Sequence, residues 1–404
     1  MLNREREILR GLAAEFRELT DTREMEELRA AWYRHNDLQT GKPLVVCFPE
    51  GSFDELVGDK DLRCEDPYAR KWELQLRRNL YRIRVFRDDS AFDPALYIGL
   101  PISDDGFGVN IPKTYGENRG SYTWTPPLKN LGEEELTRIH PRRYTFDRAA
   151  FERETAYAAD TLGDILEVRQ DPQLPCWSMG LTRWAIQLIG LEGMMVQMVD
   201  DPEGVEALME LLRRDGQNFL DMMTREGLWA PNRRDGYTGS GGIAYTHRLE
   251  GEGQMSCWGF SESQETVGVS PRMYGHLVFP YELELLQGFG LNCYGCCEGV
   301  HQRIRLIERI PRLGRVSVSP WCEQEIMGEF LRGRAVFSRK PNPAMIAVRF
   351  HEEEIRQDIR TTLEASRGCN VEFIMKDVHT VQYDARRIPE WVRIAKEEVE
   401  AFAR

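Results

Sequence analysis

Apolar positions near the start of the chain recur at helical spacing. Ile8, Leu9, Leu12 and Phe16 form one stripe, and Met25, Leu28 and Trp32 form another. The break between them, Thr20-Asp21-Thr22, is a polar helix start, so two helices are predicted between Asn3 and about Leu38. Pro43 to Phe48 is a short apolar run of strand length that ends on acidic and glycine residues, and a further helix is predicted from Tyr68 to Phe86. Periodicity fades between about Phe92 and Tyr144, where Gly, Pro, Asp and aromatic residues dominate, as in Asp104-Asp-Gly-Phe-Gly108 and Ser121-Tyr-Thr-Trp-Thr-Pro-Pro127. A strand-and-loop insertion is expected there, serving either as a lid or binding loop or as a structural excursion.

From about Phe151 onward helical patterns alternate with short β-rich runs, the sign of a parallel sheet with crossover helices. Helices around Pro271–Phe289, His301–Ile310, Glu323–Leu331 and Glu352–Ala365 lead in turn to the runs Leu291–Cys297, Arg315–Ser319, Ala335–Ser338 and Val371–Met375, and Ile388–Phe402 closes the chain. Four successive β-α units make half a barrel. The expected fold is α/β, a (β/α)8 TIM barrel with N-terminal helices and the strand-and-loop insertion. Residues 1–150 would contribute to the barrel mouth and 151–404 would form the main part, as one structural unit. No repeat of solenoid length is present, and neither G-x-G-x-x-G nor a phosphate-binding G-x-x-x-x-G-K-[ST] occurs, which disfavours a dinucleotide or nucleotide fold.

Composition narrows the partners. A chain of 404 residues fits one barrel with extra segments. No uninterrupted apolar stretch is long enough to span a bilayer, and the charged start Met1-Leu-Asn-Arg-Glu-Arg-Glu lacks the features of a signal peptide, so a cytoplasmic protein is expected. Nine scattered cysteines do not make a disulfide framework, which leaves reduced thiols, some of them free to bind metal. A formal charge of −13 argues against nucleic acid and anionic lipid. Small molecules and protein partners remain.

In such barrels the reactive groups lie where strands end. The predicted ends carry Glu262 and Gln264, then Cys296, Cys297 and Glu298, then Trp321 and Cys322, then Arg339, Lys340 and Asn342, and finally Asp377 and His379. Alternation along an extended segment would put Cys296 and Glu298 on one side and Cys297 on the other. Thiolate, imidazole and carboxylate are zinc ligands, and a catalytic zinc keeps a fourth position open, so His379 is the natural third ligand for this pair. The alternative is that the cysteines are small buried hydrophobes, which is the expectation for Cys47, Cys64, Cys176, Cys257, Cys293 and Cys369. Arg339 and Lys340, on a proline-stiffened loop, suit a substrate carboxylate or phenolate, or form a solvated pair. Glu262 suits a proton donor or base if burial raises its pKa. Tyr122, Trp124 and Trp321 are candidates for an apolar wall, with packing as the competing role.

Several segments together resemble the uroporphyrinogen decarboxylase superfamily. They are Leu191-Glu-Gly-Met-Met195, Val199-Asp-Asp-Pro-Glu203, Val269-Ser-Pro-Arg-Met273, Phe279-Pro-Tyr281 and, most distinctive, Cys293-Tyr-Gly-Cys-Cys-Glu298. The resemblance runs from about Pro172 to the C-terminus and is loose before that. It implies a TIM barrel and one of two chemistries: metal-free decarboxylation, or zinc-dependent methyl transfer to or from a corrinoid protein or a thiol. The methyltransferase branch carries a His-x-Cys pair at one strand end and a further Cys at the last. Cys296 to Glu298 falls where the pair lies and His379 near the distal Cys, so the ligand types are permuted. The arginine-rich N-terminal segment of the decarboxylase branch is missing.

The resemblance therefore implies a zinc enzyme that moves a methyl group from a small methylated substrate, such as an aromatic methyl ether, to a corrinoid carried by a partner protein. Cys296, Cys297, Glu298 and His379 would supply the metal ligands, Glu262 and Lys340 the catalytic groups, and Tyr122, Trp124, Trp321, Arg339 and Asn342 the substrate contacts. A decarboxylase-like lyase acting on a small carboxylate, a methyl-corrinoid:thiol methyltransferase, and a binding protein that kept the barrel without its chemistry are the alternatives.

Overall fold

The N-terminal stripes become two helices, Asn3–Thr20 and Arg23–Asn36, and the polar break between them does the capping, with the Thr22 hydroxyl accepting the Met25 N–H at 3.2 Å. Leu9, Ala13 and Phe16 of the first helix are buried against the helix Pro67–Tyr81, whose N-terminus is capped by Asp66. These contacts belong to a computed structural model that describes residues 2–116, 122–172 and 179–403. Cys176 and Ser121 lie outside the described residues.

Twelve strands are formed among the described residues: β1 Leu44–Cys47, β2 Ala95–Ile98, β3 Ile102–Asp104, β4 Lys113–Tyr115, β5 Tyr122–Trp124, β6 Tyr144–Phe146, β7 Glu167–Gln170, β8 Trp258–Ser261, β9 Leu291–Tyr294, β10 Leu313–Val318, β11 Val336–Arg339 and β12 Val371–Met375. Six of them make a parallel sheet in the order β1-β12-β11-β10-β9-β8, and β2 and β7 form a separate parallel pair. The arrangement is TIM-barrel-like, with helices packed outside the sheet. Among the described residues, ladder pairing is not continuous from β1 to β2 or from β7 to β8.

Side chains do the work of the missing ladder at the β1 edge. The Asp89 carboxylate accepts the Val45 N–H at 2.8 Å, the Asp88 carboxylate accepts the Cys47 N–H at 2.9 Å, and Gln75 bonds both the N–H and the carbonyl of Tyr97 on β2. The insertion expected between Phe92 and Tyr144 in fact contains β2, which pairs in parallel with β7, besides the antiparallel pairs β3–β6 and β4–β5. Its short β2 run, Ala95-Leu-Tyr-Ile98, is hidden between Asp93-Pro94 and Gly99-Leu-Pro101, which read as loop.

The sheet interior is polar at its centre. Arg315 of β10 donates to Glu372 of β12 at 2.8 Å and to Asn36 Oδ1 at 2.7 Å, while His35 Nε2 lies 3.1 Å from the other Glu372 oxygen. Burial opposes a charge on Glu372, yet Arg315 and the His35 bond hold its carboxyl far below the usual range. The segment Thr238-Gly-Ser-Gly-Gly242 passes directly over these groups. Gly241 and Gly242 take φ of +117° and +142°, and a Cβ on them would stand 2.6 Å from Ile374 Cγ2 and 2.7 Å from Arg315 Cζ, so only glycine fits there.

Candidate metal and active site

β9 stops at Tyr294 because Gly295 turns into the left-handed region at φ +86°, where an added Cβ would meet Val300 Cγ1 at 3.1 Å. The residues that follow are bent rather than extended, so the expected alternation of Cys296, Cys297 and Glu298 fails. Glu298 instead folds back under the turn. Its two oxygens accept the N–H groups of Cys296 at 2.8 Å and Ser263 at 3.1 Å. From the other side Ser317 donates to the Cys296 carbonyl and Ser319 to the Glu298 carbonyl, both at 2.8 Å. The loop is thus pinned by both neighbouring strands.

That turn brings the two thiols to the same place, with Sγ atoms 3.5 Å apart, Cys296 buried and Cys297 exposed. The bond from the Cys297 thiol lowers the Cys296 pKa, and the Lys376 ammonium, 3.8 Å away, lowers it further; the Cys297 thiol is pushed up by the same contact. Burial disfavours the Lys376 charge, but Tyr237, Cys296, Asp377 and Glu50 outweigh it and hold its pKa above the ordinary value.

Beyond β12 the chain supplies Lys376, Asp377 and His379, and beyond β1 it supplies Glu50. The ligand atoms of Glu50, Asp377 and His379 all lie within 4.8 Å of one another. Asp377 Oδ2 is also 3.5 Å from Cys297 Sγ, which joins this triad to the thiol pair. Both Asp377 and Glu50 adopt left-handed backbone, at φ 58° and 46°. Such strain costs on the order of 1–3 kcal/mol per residue and gathers at sites where side-chain placement matters. The donor set of thiol, imidazole and carboxylates fits zinc in type. The structure groups His379 with Glu50 and Asp377, not with Glu298, whose oxygens face backbone amides.

The other candidates are distributed as follows. Glu262 is fully buried beside this loop: Oε2 accepts the Gln264 N–H, Oε1 has no partner, and burial together with the charges of Glu265 and Glu298 holds its pKa well above the ordinary carboxylate value. Lys340 points inward from the end of β11, donating to Ser338 at 2.5 Å, and burial with the neighbouring cations Lys376 and Arg315 pushes its pKa down to about 7.

Arg339 points the opposite way. It is buried and bonds the Ser319 carbonyl and Asp358 on the outer helix Glu352–Ala365, both at 2.8 Å, so it clasps strand to helix. Asn342 Oδ1 accepts the Ala344 N–H at 3.0 Å just before the short helix Ala344–Ala347. Trp321 is 70% exposed. Tyr122 and Trp124 pack on the β4–β5 hairpin, where Trp124 donates to the Ile186 carbonyl and Lys113 lies over the Tyr122 ring.

Glu50 and Lys376 were not among the sequence candidates, and Asp377 was noted at a strand end without a role. All three follow a strand directly or by two or three residues, so reading every strand end alike would have found them. Of the remaining cysteines, Cys47, Cys64, Cys257, Cys293 and Cys322 are buried and Cys369 is half-buried.

No protein-family model matches the chain, and no curated protein matches it by sequence. Among solved structures, a methyltransferase from Methanosarcina mazei is similar over 93% of this chain and 99% of its own, with a TM-score of 0.51 at 11% identity. At that identity the likeness is one of fold. No helix among the described residues is long and apolar enough to cross a membrane.

Proposed function

We propose that the chain is a zinc-dependent methyltransferase that moves a methyl group from a small methylated substrate to a corrinoid held by a partner protein. The observation that carries this reading is the convergence of two thiols with Asp377, His379 and Glu50 at adjoining strand ends. The methyltransferase-like fold supports it. The decarboxylase alternative gains no support from the arrangement.

Cys297, Asp377, His379 and Glu50 would hold the metal, with Cys296 beside them paired to Lys376. Zinc supplies Lewis-acid polarisation of a substrate oxygen or thiol. The chain's own part is to orient and to manage protons. Glu298 and the serines of β10 fix the thiol loop, and Glu262 keeps a proton that it would give to the leaving oxygen as the methyl group departs. Lys340 would carry charge into the floor of the site as the pH falls towards about 7.

Metal analysis tests the reading. Protein purified without added zinc should carry about one ion per chain, lost in a Cys296→Ala/Cys297→Ala double variant and in Asp377→Ala. Methyl transfer from an aryl methyl ether to free cob(I)alamin, followed by the change in its absorbance, should need that ion. Metal-free protein that takes up no zinc on titration would sink the proposal.

A further inference from the structure

The seam between β1 and β2, where side chains replace the ladder, is hollow. A cavity of about 200 Å³ runs from the helix Pro67–Tyr81 through the seam into the sheet interior. That is below the roughly 300–1,000 Å³ of drug-sized pockets and suits a ligand built on one ring. Its walls include the rings of Phe16, Phe48, Phe92, Tyr97 and Tyr237, and its polar lining includes Asn79 and Arg82.

Arg82 opens a single wide turn, Arg82–Phe86, in which the helix loosens to π geometry, a rare form that recurs at functional sites. Its guanidinium lies 4.8 Å from the Phe48 ring centre and 5.5 Å from that of Phe92. Nη2 donates to Ser90 Oγ at 2.5 Å and to the Cys47 carbonyl at 3.4 Å and lies 3.6 Å from Asp88 Oδ2, but Nε is buried with no hydrogen-bond partner among the described residues. A buried donor left unpaired costs about 1–3 kcal/mol, so one beside a cavity points to a ligand that completes it. The Asn79 side chain, half-buried on the same helix, makes no hydrogen bond among the described residues. Two acids also line the cavity, Asp171 and Asp235, and Asp235 is engaged, accepting the Tyr97 hydroxyl and, at 2.9 Å, the Asp93 N–H.

We propose that this seam cavity binds a small aromatic carboxylate, with the ring between the aromatic walls and the carboxylate on Arg82 and Asn79. Planar guanidinium and carboxylate match in a two-pronged pair, and a ring stacked in a dry slot adds contact at little entropic cost. The cavity adjoins the thiol site. Tyr237 packs edge-on to Phe48 at 5.0 Å, Phe48 precedes Glu50 by two residues, and Tyr237 is close enough to Lys376 to raise its proton affinity. The ligand's role as methyl donor rests on the methyltransferase reading, whereas its binding does not.

The test is calorimetric titration of the full chain, stripped of metal with EDTA, with benzoate as probe and with methyl benzoate and acetate as the neutral and the ring-less controls. Benzoate should bind at one site per chain, both controls at least tenfold more weakly, and Arg82→Met should weaken benzoate at least tenfold. Because Arg82 also holds the Cys47 carbonyl, Asn79→Leu is the second variant. Its parent side chain holds nothing, so it should narrow the slot and weaken benzoate at least fivefold at unchanged melting temperature. Failure of benzoate to bind stripped protein, binding that survives both substitutions, or binding seen only with zinc would each overturn the proposal. If benzoate binds as expected and 4-methoxybenzoate loses no methyl group, the methyltransferase reading fails and the subsite stands. If methyl transfer proceeds and ignores both substitutions, the reverse holds.

Discussion

Glu298→Gln separates two roles that the same residue could play. In the structure its carboxylate is 2% exposed and spans two buried amides, Cys296 N–H at 2.8 Å and Ser263 N–H at 3.1 Å. Glutamine keeps one acceptor oxygen and turns its NH2 toward the other amide. A hydrogen bond to a charged acceptor contributes about 1.5–3 kcal/mol, and a buried donor left unpaired costs about 1–3 kcal/mol. The variant should therefore lose about 2–4 kcal/mol, a large share of the roughly 5–15 kcal/mol of a typical domain. Urea unfolding of metal-free protein, followed by tryptophan fluorescence, should show a lower midpoint at unchanged slope. Zinc affinity, measured by competition with a chromophoric chelator, should fall about 10–100-fold, because the loop that carries both thiols is no longer held. A direct ligand would behave differently, losing zinc while the metal-free protein stayed as stable as its parent. That outcome, a stability change within about 0.5 kcal/mol, would refute the positioning role.

Two more outcomes follow from buried charge. Glu372→Gln leaves Arg315 buried with no counter-charge and should cost about 3–5 kcal/mol, most of it recovered when Arg315→Met is added; equal stability of the Glu372→Gln single variant and its parent in urea would contradict the pairing at 2.8 Å. Burial pushes the Glu282 carboxyl up to about 8, against the bonds it accepts from Tyr274 and Ser263. An unfolded glutamate titrates near about 4.3, so across that window the folded state holds a proton the unfolded state has released, and stability falls as pH rises, by about 1.4 kcal/mol per unit from this group. Glu282→Gln should remove that share of the slope in urea unfolding between pH 5 and 8, and an unaltered slope would show that Glu282 is ionised when folded.

The fold was legible where local signals were dense. Helix Arg23–Asn36 announced itself through Thr22, and Ser270-Pro271 begins the helix Pro271–Leu277 in the same way, as Asp201-Pro202 begins the helix Pro202–Arg225, which the sequence analysis did not mark out. Those caps also account for part of the family resemblance, since Asp-Pro and Ser-Pro do the same job at the start of any helix. β2 was not legible, because four residues between proline- and glycine-containing loops carry no periodicity. Nor was the Gly239–Gly242 crossing of the interior, whose reason is tertiary: the chain must pass within reach of Arg315 and Ile374.

At the candidate site the sequence reading and the structure arrange the same loop differently. Strand alternation treats Tyr294 to Glu298 as extended, but a glycine at φ +86° ends the strand and lets a buried glutamate reach back to the amide of Cys296. The two adjacent cysteines meet because of that reversal, not because of a two-residue period. The partners of the thiols then come from chain segments far apart in sequence, Glu50 beyond β1 and Lys376, Asp377 and His379 beyond β12, and only the parallel pairing of Cys47 with Met375 brings those two strand ends together. The donor set is therefore a property of the β1–β12 register. A shift of that register by one residue would turn each of Lys376 and Asp377 to the other face and dissolve the cluster without changing a single candidate residue.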